Sequence, residues 1–213
     1  TAYNGSVARL SIGPHVRRNI KRFIREGNFD ILHIHEPNSP SYSMAALALA
    51  RGPIVATYHA SASSSLALTL AKPFLRPYLE KVRGGIAVSE MARRWQVEQL
   101  GGDPVLIPNG VDTSVYARKR ERAERERRDS EIEIVFLGRL DEPRKGLDIL
   151  LEALTLLPEP VRVTVMGGGH PRSAPGVDFV GRVSDAEKAA ILGRADIYVA
   201  PNTGGESFGI VLV

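Results

Sequence analysis

The chain has 213 residues, 43% of them hydrophobic, no cysteine, and a formal net charge of +4. This length can bury one large core or two small ones. No apolar run approaches the ~20 residues of a membrane-spanning helix, and the lack of cysteine excludes disulfides and thiolate metal sites. The mild basic excess allows anionic partners without identifying one. Because the chain starts with neither Met nor a secretory signal, we expect it to begin inside a larger protein.

Short β-branched runs alternate with longer amphipathic segments. The predicted strands are residues 31–35, 54–59, 85–88, 105–107, 132–138, 161–166, 178–180 and 197–200. Predicted helices cover residues 15–25 and 147–157, and two more begin at the N-caps Ser89 and Ser184. This alternation predicts an α/β fold with parallel sheets.

The first predicted helix is amphipathic. Its apolar face consists of Val16, Ile20, Phe23 and Ile24. Its opposite face consists of Arg17, Arg18, Lys21, Arg22 and Arg25. A basic face suits an anionic membrane surface, whereas the ordinary alternative is a surface helix packed on the sheet. The two interpretations are compatible, since the apolar face can pack on the sheet while the basic face contacts lipid headgroups.

A highly charged segment suggests a boundary between two domains. Residues 118–129 contain seven basic and four acidic side chains after a turn at Asn109 and Gly110. The segment is typical of a solvated linker, although a nucleic-acid-binding tail is an alternative that the interleaved acids weaken. We therefore predict an N-terminal domain over residues 1–112 and a C-terminal domain over residues 113–213.

Two segments of the C-terminal half could bind an anion. In the first, a buried strand ends at Gly138, and Arg139 and Lys145 follow it before a helix. Ligands of α/β sheets bind beyond the carboxyl ends of strands, and two cations there suit a diphosphate. The alternative is an ordinary surface turn. In the second, Glu206 lies in a Gly-rich turn that could grip sugar hydroxyls or simply cap a helix.

Histidines in the N-terminal half offer a further candidate site. His59 ends a predicted strand, where a structural, hydrogen-bonded role is the ordinary alternative. His33 and His35 alternate on another strand beside Glu36 and therefore share one face, which allows a metal site without requiring it.

The motifs together resemble a known family. GRLDEPRKG and GGESFGIVLV are similar to the donor-site motifs of retaining GT-B glycosyltransferases. YNGSVARL, HIHEPNSPS, GPIVATYHAS and IAVSEMARRWQVEQLG resemble the phosphatidyl-myo-inositol mannosyltransferases. The resemblance implies two Rossmann-like domains, each incomplete here: the N-terminal one lacks its first strand and Gly-rich loop, and the C-terminal one lacks its last helices. The E-x7-E motif of the family opens at Glu206, and its second acid would follow Val213.

The resemblance also implies roles for particular residues. The catalytic set is His59, Arg139, Lys145 and Glu206, with the two cations on the diphosphate. Other donor-binding residues are Val183, Asp185, Lys188, Gly204, Gly205, Ser207, Phe208, Gly209 and Ile210. Tyr3, Asn4, Ser6 and Arg9 would bind the acceptor, and Arg17, Arg18, Lys21 and Arg22 would touch the membrane.

The implied activity is mannosyl transfer from GDP-mannose to phosphatidyl-myo-inositol, with retained anomeric configuration. The resemblance implies a peripheral enzyme on the cytoplasmic face of the plasma membrane, without a tightly bound cofactor, an obligatory metal or a nucleic-acid partner. The alternatives are a related GT-B enzyme with another sugar or acceptor, a phosphorylase-like enzyme, and a non-catalytic anion-binding or nucleic-acid-binding module.

Overall fold

The computed structural model describes residues 2–3, 6–7, 13–59, 66–116, 132–159, 161–170, 172–204 and 207–212. They form two compact units. The first unit covers Thr1–Asn109 and takes in Ser207 and Phe208, and the second covers Gly110–Gly204 and Gly209–Val213. The charged segment predicted to be a linker lies outside the described residues.

The first unit is an α/β unit built on a parallel four-stranded sheet. A short hairpin, β1 (Ala2–Tyr3) and β2 (Ser6–Val7), precedes helix α1 (Pro14–Gly27). The elements that follow are β3 (Leu32–His35), α2 (Tyr42–Leu49), β4 (Ile54–Tyr58), α3 (Leu66–Leu79), β5 (Val82–Ala87), α4 (Glu90–Gln99) and β6 (Val105–Leu106). The sheet order is β3-β4-β5-β6, and every pairing is parallel.

Helix α1 packs on this unit through a narrower stripe than predicted. Val16 is buried, and Ile20 and Ile24 pack against the cluster around Leu47. The placement of Phe23 on the buried face was wrong, because its side chain is 53% exposed and its ring lies 4.9 Å from that of Phe29. The buried stripe is therefore the i, i+4, i+8 row alone.

The second unit repeats the architecture with another parallel sheet. Its elements are β7 (Glu133–Leu137), a 3-10 turn (Pro143–Lys145), α5 (Leu147–Leu154), β8 (Arg162–Met166), β9 (Val177–Gly181), α6 (Asp185–Arg194), β10 (Ile197–Tyr198) and a second 3-10 turn (Ile210–Leu212). The strand order is β10-β7-β8-β9. Phe136, Val163 and Val165 are almost fully buried, as expected of a central strand pair.

The predicted α/β class with parallel sheets is confirmed. All eight predicted strands are present, and Ser184 caps α6 in the predicted capping box with Glu187. Several details differ, and β10, for example, ends at Tyr198 rather than at residue 200. The fifth strand starts at Val82, three residues early, because Arg83 interrupts its apolar run; α5 ends at Leu154; and the antiparallel β1–β2 hairpin was not predicted.

Candidate functional site

Arg139 and Lys145 occupy one tight turn at the carboxyl end of β7. The Lys145 N–H donates to the Glu142 carbonyl (2.9 Å), which closes the turn. A Cβ on Gly138 would lie 3.6 Å from the Cβ of Lys145, so the lysine stem lies beside the strand end that leads into Arg139. Both predicted clamp cations therefore belong to a single loop at the edge where α/β sheets bind ligands.

A buried carboxylate that the sequence reasoning missed orients this loop. Glu142 is 5% exposed, yet it accepts a hydrogen bond from Arg139 Nη1 (2.5 Å) and lies 3.0 Å from Arg144 Nη2. Burial of a carboxylate is costly without partners, and the two arginines supply the charge partners that this acid needs. The sequence clue to Glu142 is an acid placed between cations in RLDEPRKG.

The second predicted donor segment lies directly against the first. A Cβ on Gly146 would come within 2.0 Å of the Pro201 carbonyl oxygen, and Gly146 has a φ of +76°. The Thr203 N–H donates to the Arg144 carbonyl (2.9 Å). Only glycine permits this approach. The loop after β10 is therefore held on the loop that carries Arg139 and Lys145.

The glycines after β8 bring a third strand end to the same edge. A Cβ on Gly167 would lie 1.7 Å from the Gly138 carbonyl oxygen, so the two loops are in backbone contact. A Cβ on Gly168 would lie 2.5 Å from Arg182 Nε. Arg182 is thus a further cation at this edge that the sequence reasoning did not single out.

The residues predicted to line a guanine pocket follow β9. Val183 is half-buried beside the core of the unit, whereas Asp185 is exposed at the start of α6. Lys188 Nζ donates to Asp185 Oδ1 (2.6 Å), and this hydrogen bond lowers the pKa of Asp185 and raises that of Lys188. Their contact with a base stays a prediction.

The last predicted donor-binding residues are only partly described. Gly205 and Glu206 lie outside the described residues. Gly204 and Gly209 have positive φ values, and Ile210 is exposed. Ser207 and Phe208 belong to the first unit, where Ser207 Oγ lies 3.0 Å from Ser89 Oγ and Phe208 packs against Ala87, Val88 and Ala92.

In the first unit, His59 follows the end of β4 and joins a histidine cluster. Its Nε2 lies 2.8 Å from His35 Nδ1, and its backbone N–H donates to the Glu36 carboxylate. His33 Nε2 lies 2.8 Å from Thr57 Oγ1. Burial is the main cause that lowers the pKa of both His35 and His59, and the neighbouring histidines lower it further. At neutral pH the imidazoles of His35 and His59 are therefore uncharged.

This cluster predicts a pH-dependent stability. Because the pKa values of His35 and His59 lie below the ordinary 6.5, the unfolded chain binds more protons in acid, and folding stability falls as the pH drops through and below that value. We expect the melting temperature to drop from about pH 8 to about pH 5.5, and to drop less in a His35→Asn, His59→Asn double variant. His15→Asn, at an exposed histidine of α1, is the control. Equal drops in all three proteins would refute the assignment.

The predicted acceptor and membrane residues belong to the first unit. Tyr3 and Ser6 are paired in the β1–β2 hairpin, and Asn4 and Arg9 lie outside the described residues. On α1, the exposed side chains include the four predicted membrane residues, Arg17, Arg18, Lys21 and Arg22. The acceptor and membrane roles stay predictions.

The described residues contain neither a membrane-spanning helix nor a cluster of metal ligands. No helix in these ranges is long and apolar enough to cross a bilayer. No three His, Asp or Glu side chains among them are grouped so that they could hold a metal ion.

The fold is shared with solved glycosyltransferase structures. A sucrose-phosphate synthase from Thermosynechococcus elongatus matches with a TM-score of 0.70 and 22% identity, over 93% of this chain and 56% of that protein. The Anabaena protein HepE, solved with UDP and glucose, matches with a TM-score of 0.68 and 19% identity, over 93% of this chain and 59% of that protein. The fold is therefore GT-B, as predicted.

Family models identify the chain more closely. Residues 2–115 match the model described as Glycosyltransferase Family 4, and residues 131–213 match Glycosyl transferases group 1. The chain belongs to glycosyltransferase family 4.

Curated relatives agree with this assignment. The phosphatidyl-myo-inositol mannosyltransferase of Mycobacterium tuberculosis is 50% identical over 99% of this chain, and that of Mycolicibacterium smegmatis is 52% identical over 99%. The protein of the same name from Propionibacterium freudenreichii is 41% identical. The chain spans 58%, 57% and 56% of the lengths of these relatives, respectively.

Proposed function

We propose that the protein transfers mannose from GDP-mannose to the inositol ring of phosphatidyl-myo-inositol and retains the anomeric configuration. The observation that carries the proposal is the contact between the two donor segments, in which Gly146 lies against Pro201 beside Arg139 and Lys145. The names of relatives at 50% identity support the choice of sugar and acceptor.

The second unit supplies the donor site in this proposal. Arg139 and Lys145 bind the diphosphate, and Glu142 fixes the direction of the arginine. Val183, Asp185 and Lys188 line the pocket of the guanine base. Glu206, with the backbone of the Gly-rich turn, holds the mannose.

The reaction proceeds on one face of the sugar. The bond between the anomeric carbon and the diphosphate oxygen breaks, and the inositol hydroxyl oxygen attacks that carbon from the same side. The hydroxyl proton passes to the departing phosphate oxygen. Arg139 and Lys145 stabilise the negative charge that grows on GDP. Among the described acids of this edge, Glu142 and Asp141 are already engaged by arginine and by His170, which argues against either as a covalent nucleophile.

The first unit supplies the acceptor side. His59 contacts the mannose and the incoming hydroxyl, and Tyr3, Asn4, Ser6 and Arg9 bind the inositol phosphate. No metal ion and no tightly bound cofactor take part. The enzyme acts at the cytoplasmic face of the plasma membrane, held there peripherally.

Nucleotide binding tests the donor assignment. We expect calorimetry on the complete protein to give a Kd for GDP at least about 10-fold lower than for UDP, since a site built for one base leaves polar groups unpaired with another. A short RNA is the control for the alternative that the protein binds nucleic acid. In that case the affinity for RNA would fall steeply as the salt concentration rises. Tighter binding of UDP, or salt-sensitive binding of RNA alone, would overturn the assignment.

The basic face of α1 predicts attraction to acidic vesicles. Changing Arg17, Arg18, Lys21 and Arg22 to Ser is expected to lower partitioning onto phosphatidylinositol-containing vesicles by about 10²-fold or more, because each cation contributes about 1 kcal/mol near acidic lipid. Co-sedimentation of the complete protein measures it.

A matched variant separates the position of the charge from its amount. Changing four exposed cations elsewhere, Arg51, Arg83, Arg94 and Arg162, to Ser alters the net charge equally. We expect this variant to bind nearly as wild type. If both variants lose binding to the same extent, α1 is not the membrane contact.

A further inference from the structure

The hydrogen bond between His35 and His59 is set by the register of the sheet. His35 on β3 pairs with Thr57 on β4, and His59 lies two residues beyond Thr57 on the same face. The planes of the two rings are inclined to each other by 21°, and their centroids are 5.1 Å apart with a nitrogen–nitrogen distance of 2.8 Å. This is the geometry of imidazoles joined edge to edge, in which an N–H of one ring points at the lone pair of the other.

Such a bond uses one nitrogen of His59 and leaves the other available. Nε2 of His59 is held by His35, whereas no described residue hydrogen-bonds to its Nδ1. Of the two nitrogens that share the hydrogen bond, His35 Nδ1 and His59 Nε2, one must carry the proton and the other must accept it. Fixing Nε2 therefore also fixes whether Nδ1 donates or accepts.

The backbone around His59 is anchored as well. Its N–H donates to the carboxylate of Glu36, a residue with φ +50° whose own N–H donates to the Thr57 carbonyl (2.9 Å). A non-glycine residue in this region is strained and is maintained by its surroundings. The titratable groups that act on the pair are His33 on β3, which affects both rings, and Glu36 after β3, which affects His35.

We propose that His35 is a positioning residue for His59: its Nδ1 holds the ring of His59 in one orientation and one tautomer, so that His59 Nδ1 faces the substrate. This inference rests on the proposed function for the role of His59 in transfer. The hydrogen bond and the tautomer are properties of the protein without substrate.

A pair of substitutions at position 35 tests the inference. Asn can place an amide nitrogen or oxygen where His35 Nδ1 lies, whereas Leu has no polar atom. We expect His35→Leu to lower kcat by about 10-fold, the scale of one lost hydrogen bond, and to change the KM for the nucleotide sugar by less than about 2-fold. His35→Asn should keep kcat within about 3-fold of wild type. His33→Leu is the matched control, because His33 lies on the same strand and face but is bonded to Thr57.

A substrate-free measurement separates this inference from the proposed function. Nitrogen-15 NMR of the complete protein is expected to show one protonated and one unprotonated ring nitrogen for His59 in wild type and His33→Leu, and exchange-averaged nitrogens in His35→Leu. An unchanged His59 spectrum in His35→Leu would overturn the inference even in an active enzyme. The expected spectra in a protein that transfers no sugar would uphold the hydrogen bond and contradict the proposed function instead. If His35→Asn loses as much kcat as His35→Leu, or if His33→Leu loses it too, the role of His35 is structural only, and the inference is overturned.

Discussion

Replacing Lys145 with Ala is expected to lower kcat for mannosyl transfer by about 10²-fold or more, the scale of losing one contact that strengthens in the transition state. Lys145 ends the turn that begins at Arg139, at the carboxyl edge of the second sheet. Charge on the diphosphate grows as the sugar leaves, so the loss falls mainly on kcat rather than on KM. Steady-state kinetics of the complete protein measure it.

The control is Arg162→Ala, which removes a cation from the opposite edge of the same sheet. Arg162 begins β8 and is exposed. We expect this variant to retain kcat within about 2-fold, since exposed substitutions away from a site have small effects. Near-normal turnover of Lys145→Ala would remove Lys145 from the proposed mechanism.

Replacing Gly146 with Ala is expected to lower the free energy of unfolding of the second unit by about 3 kcal/mol. The added Cβ would lie 2.0 Å from the Pro201 carbonyl oxygen at a φ of +76°. Since neither strain is relieved without backbone movement, the Pro201 loop must shift away from the clamp. We therefore also expect weaker GDP binding, measured by calorimetry beside urea unfolding.

Gly176→Ala separates the two causes of this loss. Gly176 has a nearly equal φ of +71°, but an added Cβ meets no atom within 4 Å. Only the backbone penalty of a positive φ remains in this variant. We therefore expect the free energy of unfolding to fall by about 1 kcal/mol and the GDP affinity to stay unchanged. If the two variants lose the same stability and bind GDP alike, the contact between Gly146 and Pro201 does not organise the donor site.

The sequence predicts the parts of the fold whose signals are local. Apolar β-branched runs indicate the eight described strands of the two parallel sheets, because a buried parallel strand is rich in such residues. Ser184 and Glu187 predict the start of α6, because a capping box is formed by residues that are close together in the chain. The position of Arg139 and Lys145 after β7 follows in the same way from the end of a strand.

The missed features depend on contacts between distant segments. Nothing local shows that Gly146 lies against Pro201. The arginine partners of Glu142 are near it in sequence, but its burial depends on packing by the rest of the unit. The bond between His35 and His59 needs the register of β3 and β4, which the separate strand patterns do not contain. The prediction for Phe23 was wrong for a related reason. Helical periodicity shows on which face of the helix a side chain lies, but not whether another element packs against that face.

Transfer of mannose by the complete protein tests the account most directly. With phosphatidyl-myo-inositol in vesicles, GDP-mannose and UDP-glucose are offered separately, and the product's anomeric configuration is read by NMR. We predict transfer from GDP-mannose with retained configuration, and at least about 10²-fold less transfer by Lys145→Ala. Preference for UDP-glucose, an inverted product, or equal turnover of the variant would contradict the account.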